Sequence, residues 1–188
     1  MGKYIIIAVV AVVLLIIIAF AIKTYNSLVK LRNSVKDSWS QIDIQLKRRF
    51  DLIPNLVETV KGYASHEEET LTKVIDARNH YQSAKTNEEA MKANNELTNM
   101  ITKLFALSEA YPDLKANQNF LNLQNDLKDT EEKISYARQF YSDAVLKYNN
   151  NIQVFPNNLV AGIFGFKSEK FFEAAEAEKE NVKVDFSK

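Results

Sequence analysis

The sequence predicts an all-α protein: an N-terminal transmembrane helix, then an antiparallel four-helix bundle with long helices, then a short C-terminal tail. Three observations predict it. Residues 5–22 are uniformly apolar. Beyond them, apolar residues recur at steps of three and four, the period of a helix face. Residues that punctuate turns are scarce, with 4 glycines and 3 prolines in 188 residues, which favours long helices over many short strands.

The first element is the run IIIAVVAVVLLIIIAFAI at 5–22, which carries no charge. At about 1.5 Å per residue it spans roughly 27 Å, enough for the hydrocarbon core of a bilayer. Ile5, Val9, Val13, Ile16, Phe20 and Ile22 sample its length as a membrane anchor. Lys3 and Lys23 bracket the run, and Tyr4 and Tyr25 stand where interfacial aromatics belong. A cleaved signal peptide is the rival, because Ala19-Phe20-Ala21 has the A-x-A form. Against it, the run passes through that site without a polar stretch and exceeds the usual apolar region of about 7–15 residues. Lys23, Lys30, Arg32 and Lys36 follow the run, against Lys3 before it. Positive charge favours the cytosolic side, so the expected topology is single-pass, N-terminus outside and bundle cytosolic.

The remaining length suits one domain with its own core. The expected division is a 1–23 anchor, a 24–151 bundle and a 152–188 Phe-rich tail. In the first bundle helix, Leu28, Leu31, Val35, Trp39, Ile42, Leu46, Phe50 and Ile53 form a stripe with an eleven-residue repeat. Pro54 is expected to break or kink it, with Asp51 capping the next start. A second helix is expected over 54–84. Gly62 and a capping box, Ser65 with Glu68, mark an interruption inside it. Thr86 with Glu89 is another capping box, opening a third helix that carries Leu97, Ile101, Leu104, Leu107 and Tyr111 and stops at Pro112-Asp113. The fourth helix begins near Asn117. Phe120, Leu123, Leu127, Thr130, Ile134, Ala137, Tyr141, Ala144 and Tyr148 give it a coiled-coil-like seam, and Asn149-Asn150-Asn151 ends it. The tail reads as a turn at 154–158, a short helix over 159–164 stopped by Gly165, a second helix over 168–179, and an extended Val182, Val184, Phe186.

Particular segments carry a family resemblance. They include Leu31-Arg32-Asn33, Trp39-Ser40-Gln41-Ile42-Asp43 and the dense stretch Gln45-Leu46-Lys47-Arg48-Arg49-Phe50-Asp51-Leu52-Ile53-Pro54-Asn55-Leu56-Val57. Lys61-Gly62-Tyr63-Ala64, Glu109-Ala110-Tyr111-Pro112-Asp113-Leu114, Arg138-Gln139-Phe140-Tyr141, Tyr148-Asn149 and Phe155-Pro156 follow in order. In these pieces the chain resembles the LemA family over nearly its whole length. The resemblance implies a bacterial membrane anchor joined to a helical bundle, with no established enzymatic activity and no agreed catalytic residues. It also implies relatives associated with membranes, one branch with magnetosomes, and some encoded near membrane peptidases.

Composition excludes several chemistries. There is no cysteine, hence no disulfide, thiol catalysis or Cys-based zinc site. Formal net charge is zero, so no global polybasic signature points to nucleic acid. His66-Glu67-Glu68-Glu69-Thr70 resembles a zincin motif, but Thr70 stands where the second histidine is required. Only His80 remains as another ligand, about 21 Å away along a straight helix. There is no Gly-rich phosphate loop and no G-x-S-x-G elbow. Glu131-Glu132 reads as a solvated face. No catalytic, metal or cofactor residue is expected, no cofactor, no small-molecule substrate, and no enzymatic activity.

Two clusters remain as candidate interaction residues. Lys47, Arg48 and Arg49 belong to a basic segment: residues 23–49 hold seven cations against Asp37 and Asp43, whereas 50–166 hold eleven cations and sixteen acids. The triad either pairs with acidic neighbours inside the bundle or forms a contact between protomers. Direct lipid contact is not expected, since a straight helix puts it about 37 Å from the membrane, against a Debye length of about 8–10 Å. The second cluster is Phe155, Phe164, Phe166, Phe171 and Phe172. An up-and-down bundle returns it to the bilayer, as a membrane-proximal apolar pad or as rings closing the open end of the core. The expected function is a membrane-anchored scaffold or adaptor that organises membrane proteins or copies of itself; the alternative is an accessory partner of a membrane peptidase. Expected partners are the lipid bilayer, a second copy of the chain, and a membrane peptidase or other membrane protein.

Overall fold

The computed structural model describes residues 1–171. All regular structure among them is helical: α1 (Gly2–Lys61), α2 (Glu68–Ser83), α3 (Asn87–Ser108), α4 (Pro112–Lys115), α5 (Gln118–Gln153) and α6 (Asn157–Ile163). The chain is an all-α protein with a long apolar N-terminal helix and a helical bundle. An 18-residue window of α1 has a mean hydropathy of 3.7 and none of it is buried. The helix is therefore long and apolar enough to cross a membrane.

α1 does not stop at Pro54, which corrects the expected break. Proline has no N–H to give the carbonyl four residues back, here that of Phe50. The Nε of Arg78, on α2, donates to that carbonyl at 3.3 Å instead. A side chain 28 residues away thus supplies a donor that the helix lacks. The break comes at Gly62, where the chain turns through Tyr63 to Glu67 before α2. Ala64 closes the turn, its N–H on the Val60 carbonyl at 2.8 Å and its methyl buried. The expected Ser65–Glu68 box is absent, because α2 starts after Glu67, which makes no side-chain cap. The Glu67 carboxylate accepts instead from the Tyr111 hydroxyl at 3.1 Å.

The Thr86–Glu89 box does form. Glu89 N–H donates to Thr86 Oγ1 at 3.2 Å, and Thr86 N–H to Glu89 Oε2 at 3.3 Å. α3 ends at Ser108, and Pro112 opens the one-turn α4 at its first position. Asn117 starts α5, its Oδ1 accepting from Phe120 N–H at 3.0 Å. Asn149-Asn150-Asn151 do not end that helix, which runs on to Gln153. The Asn149 side chain is committed to the backbone of Glu169 and offers its own helix no competing bond.

α6 starts two residues earlier than expected, at Asn157. Its end follows the glycine rule: Gly165 has φ +70°, Phe166 N–H reaches Ala161 O at 2.9 Å, and Gly165 N–H reaches Gly162 O at 3.3 Å. This is a Schellman termination, open to glycine because it has no Cβ to clash. Residues 168–171 are not helical. The rest of the expected 168–179 helix, Phe172, and Val182, Val184 and Phe186 lie outside the described residues.

Two compact units divide the described chain. The first combines Met1–Gln41 with Ala137–Phe171. Leu28, Val35, Tyr141, Val145, Tyr148 and Val160 are buried in it, and Trp39 meets Tyr141 edge-on at 5.7 Å. The second is Ile42–Tyr136. Its interior takes Ile42, Leu46, Phe50, Ile53 and Leu56 from α1, with Val74, Leu97, Leu104, Leu114, Phe120 and Ile134 from later elements. Each such aliphatic or aromatic side chain contributes about 1.5–3 kcal/mol on burial. The three-four spacing of the α1 stripe therefore serves as core in both units, continuing the exposed apolar run without a break in helix.

Candidate functional site

The Phe-rich segment belongs to the first unit. Val160 and Ala161 of α6 face inward, while Leu159 and Ile163, four residues apart on its other side, face outward. Phe155 is 78 % exposed and Ile163 80 %, and Val154 and Phe164 are exposed beside them. The Schellman turn at Gly165 then reverses the chain. It aims Phe166 back at α1, where the ring is half-buried and lies 5.2 Å under the Arg32 guanidinium. Tyr25 of α1 touches both sides of this turn, its ring 4.8 Å from Phe164 and 5.7 Å from Phe166. Tyr25 stands three residues past Ile22, about 4.5 Å along the axis from the end of the apolar run.

Beyond Phe166 the chain runs along α5 without regular structure and is held by its backbone. Tyr148 donates its hydroxyl to Lys167 O at 2.9 Å, and Tyr141 to Lys170 O at 3.0 Å. Asn149 grips Glu169 twice, donating from Nδ2 to its carbonyl and accepting at Oδ1 from its N–H, both at 2.9 Å. Burial pushes the Tyr148 hydroxyl above its ordinary pKa and the Glu169 charge adds to this, with Arg32 opposing. It stays a neutral donor throughout the working pH range. Phe171, at the end of this strap, is exposed.

The basic triad sits in the second unit and does not act as a cluster. Lys47 and Arg48 are exposed. Arg49 is 3 % exposed, and its Nη1 donates to Asn94 Oδ1 at 2.9 Å and Thr98 Oγ1 at 3.0 Å while pairing with the Glu131 carboxylate. Burial lowers its pKa, and the charge of Glu131 opposes this only in part; an arginine still remains charged. Successive helix residues point about 100° apart, so three consecutive cations cannot share one face. The acidic pair divides in the same way: Glu131 turns to Arg49 and Glu132 to solvent.

The histidines stay apart. His66 is exposed in the turn before α2, and His80 Nδ1 pairs with Glu96 at 2.9 Å. Among the described residues no three His, Asp or Glu side chains gather as metal ligands.

Sequence reasoning missed several residues here. Val154, Leu159 and Ile163 carry as much of the outward apolar surface as Phe155 and Phe164. The four-residue step from Leu159 to Ile163, flanking Val160-Ala161, was the available signal. Asn94, Thr98 and Asn149 had none, since their partners are distant in sequence.

The LemA family model matches residues 38–186. Protein LemA of Metamycoplasma hominis is 25 % identical over 158 residues, covering 84 % of this chain and 72 % of the relative. Magnetosome protein MamQ 2 of Paramagnetospirillum magneticum is 24 % identical over 182 residues, covering 83 % and 67 %. MamQ of Magnetospirillum gryphiswaldense is 23 % identical over 174 residues, covering 79 % and 64 %.

Proposed function

The chain belongs to the LemA family, and on that premise we propose that it is a membrane-anchored, non-enzymatic scaffold or adaptor that organises membrane proteins, or copies of itself, beside the bilayer. One observation carries the reading. The 18-residue apolar window of α1 is wholly exposed, yet it belongs to the same unbroken helix as the core residues Leu28 and Val35. Water does not tolerate such a surface, whereas a bilayer does. The MamQ relatives support a membrane setting. With Lys23, Lys30, Arg32 and Lys36 following the run, the bundle takes the cytosolic side by the positive-inside rule. Tethering raises effective concentration, so weak lateral contacts suffice for assembly.

Crosslinking of the full chain in intact membranes, read by mass spectrometry, tests this. Self-links, or links to several membrane proteins, are expected. Links confined to one membrane peptidase would replace the scaffold with an accessory subunit, and recovery of the chain outside the membrane fraction would remove the anchor. A reporter fused at Lys188 is expected to be active only on the cytosolic face.

A further inference from the structure

The first unit leaves five large apolar side chains in the open at one place: Val154, Phe155, Leu159, Ile163 and Phe164. The inward positions of the same stretch are taken by Ile152, Val160 and Ala161, and Phe166 covers Arg32. The outward set falls within one stretch of eleven residues, 154–164, and monomeric soluble proteins rarely expose so much apolar surface together without a partner.

What covers it follows from Tyr25. That ring packs against Phe164 at 4.8 Å, and it sits about 4.5 Å along α1 from the last residue of the apolar run. Phe164, the C-terminal member of the patch, therefore lies beside the end of a helix segment that needs a hydrocarbon environment. At that depth a bilayer presents its headgroup boundary, where aromatic side chains are favoured and amphipathic helices bury an apolar face by about 5–10 Å. Lys23 on α1 and Lys167 just past the Gly165 turn are both exposed, as suits a layer of phosphate headgroups. We propose that Val154, Phe155, Leu159, Ile163 and Phe164 form a second, interfacial membrane contact, seated in the headgroup layer of the same bilayer that α1 crosses. This rests on the anchoring of α1 and adds to it: the domain leans on the membrane as well as being tied to it.

The chain has no cysteine, so single-cysteine labels can be placed without background. The test is spin labelling of the full chain in phosphatidylcholine–phosphatidylglycerol vesicles, with labels at Phe155→Cys, Ile163→Cys, Val13→Cys and Lys85→Cys in separate samples. Collision with oxygen is compared with collision with a water-soluble nickel chelate. The Val13 label is expected at the bilayer centre and the Lys85 label in water. Labels at Phe155 and Ile163 are expected at interfacial depth, with an oxygen-to-nickel ratio severalfold above that of Lys85. A deep Val13 label with aqueous Phe155 and Ile163 labels would overturn the interfacial contact and leave the anchor standing. An aqueous Val13 label would overturn the anchor, and the contact with it. Strong dipolar broadening at Ile163, lost on dilution with unlabelled chain and unaccompanied by interfacial depth, would assign the patch to a second copy instead.

Discussion

The Lys47-Arg48-Arg49 triad and the Phe155–Phe171 stretch are the two clusters that stand out in the sequence, and each inverts the usual rule of burial. Arg49 goes inside, while Phe155 and Phe164 go outside. The two inversions differ in one respect. Arg49 finds Glu131, Asn94 and Thr98 within its own unit, so its charge is answered there through Nη1, although its Nε is buried without a hydrogen-bond partner. The outward rings are answered less fully: Phe155 is 78 % exposed, and Phe164, although it packs on Tyr25, is still 56 % exposed. An anomaly satisfied within the fold is structural, and one left open points outward to a binding surface.

Arg49 gives the sharpest way to break that contrast. Arg49→Ala strands Asn94 Oδ1 and removes the counter-charge of Glu131, at an expected cost of about 2–4 kcal/mol in urea unfolding. Arg48→Ala, one residue away and exposed, is expected to stay within about 0.5 kcal/mol. Equal effects would dissolve the distinction between the two. The strap provides the next test. Asn149→Ala deletes two hydrogen bonds to Glu169, and a loss of about 1–2 kcal/mol is expected, with faster exchange of the Glu169 amide. A smaller effect belongs to Arg78→Ala, which leaves the Phe50 carbonyl without its side-chain donor, at about 1 kcal/mol. In a Pro54→Ala background the restored N–H can serve that carbonyl, so a double-mutant cycle should show coupling.

His80 tests an exposed pair. Its hydrogen bond to Glu96, and then the charge of Glu96, raise its pKa above 6.5. The linked stability is fully present below the unfolded pKa and is lost as pH rises above 6.5 through the raised folded value. Glu96→Gln should shift the His80 ring titration, followed by NMR, back down. Smallest of all is Phe155→Ser in detergent, expected to leave the melting transition within about 0.5 kcal/mol of the parent. A ring closing the end of the core would instead cost about 3–5 kcal/mol, which decides between the two roles the sequence allows for it.

What was legible in the sequence was local. The apolar run, the three-four stripes, the Thr86–Glu89 box, the Asn117 start and the Gly165 stop each rest on residues within one or two helical turns of each other. The misreadings share the opposite property. Pro54 reads as a break because the donor that relieves it, Arg78, comes from another helix. Asn149 reads as a helix end because its true partner, Glu169, lies 20 residues on. Lys47-Arg48-Arg49 leaves pairing inside the bundle and contact between protomers both open, because the acidic partner of Arg49, Glu131, lies on another helix. The fold class needed only periodicity; the interior of the site needed pairings that no spacing encodes.

The unbroken course of α1 past Tyr25 has a rotational consequence. The apolar run and the Phe164 contact are threaded on one helical shaft, so they share a fixed phase. One residue inserted between Ile22 and Thr24 would twist the outward patch by about 100° around that shaft, carrying it off the side it now occupies. Seven inserted residues would nearly restore the angle while raising the patch by about 10.5 Å. The spacer between run and ring thus sets the angle and the height of the patch relative to the apolar run, by about 100° and about 1.5 Å for each residue.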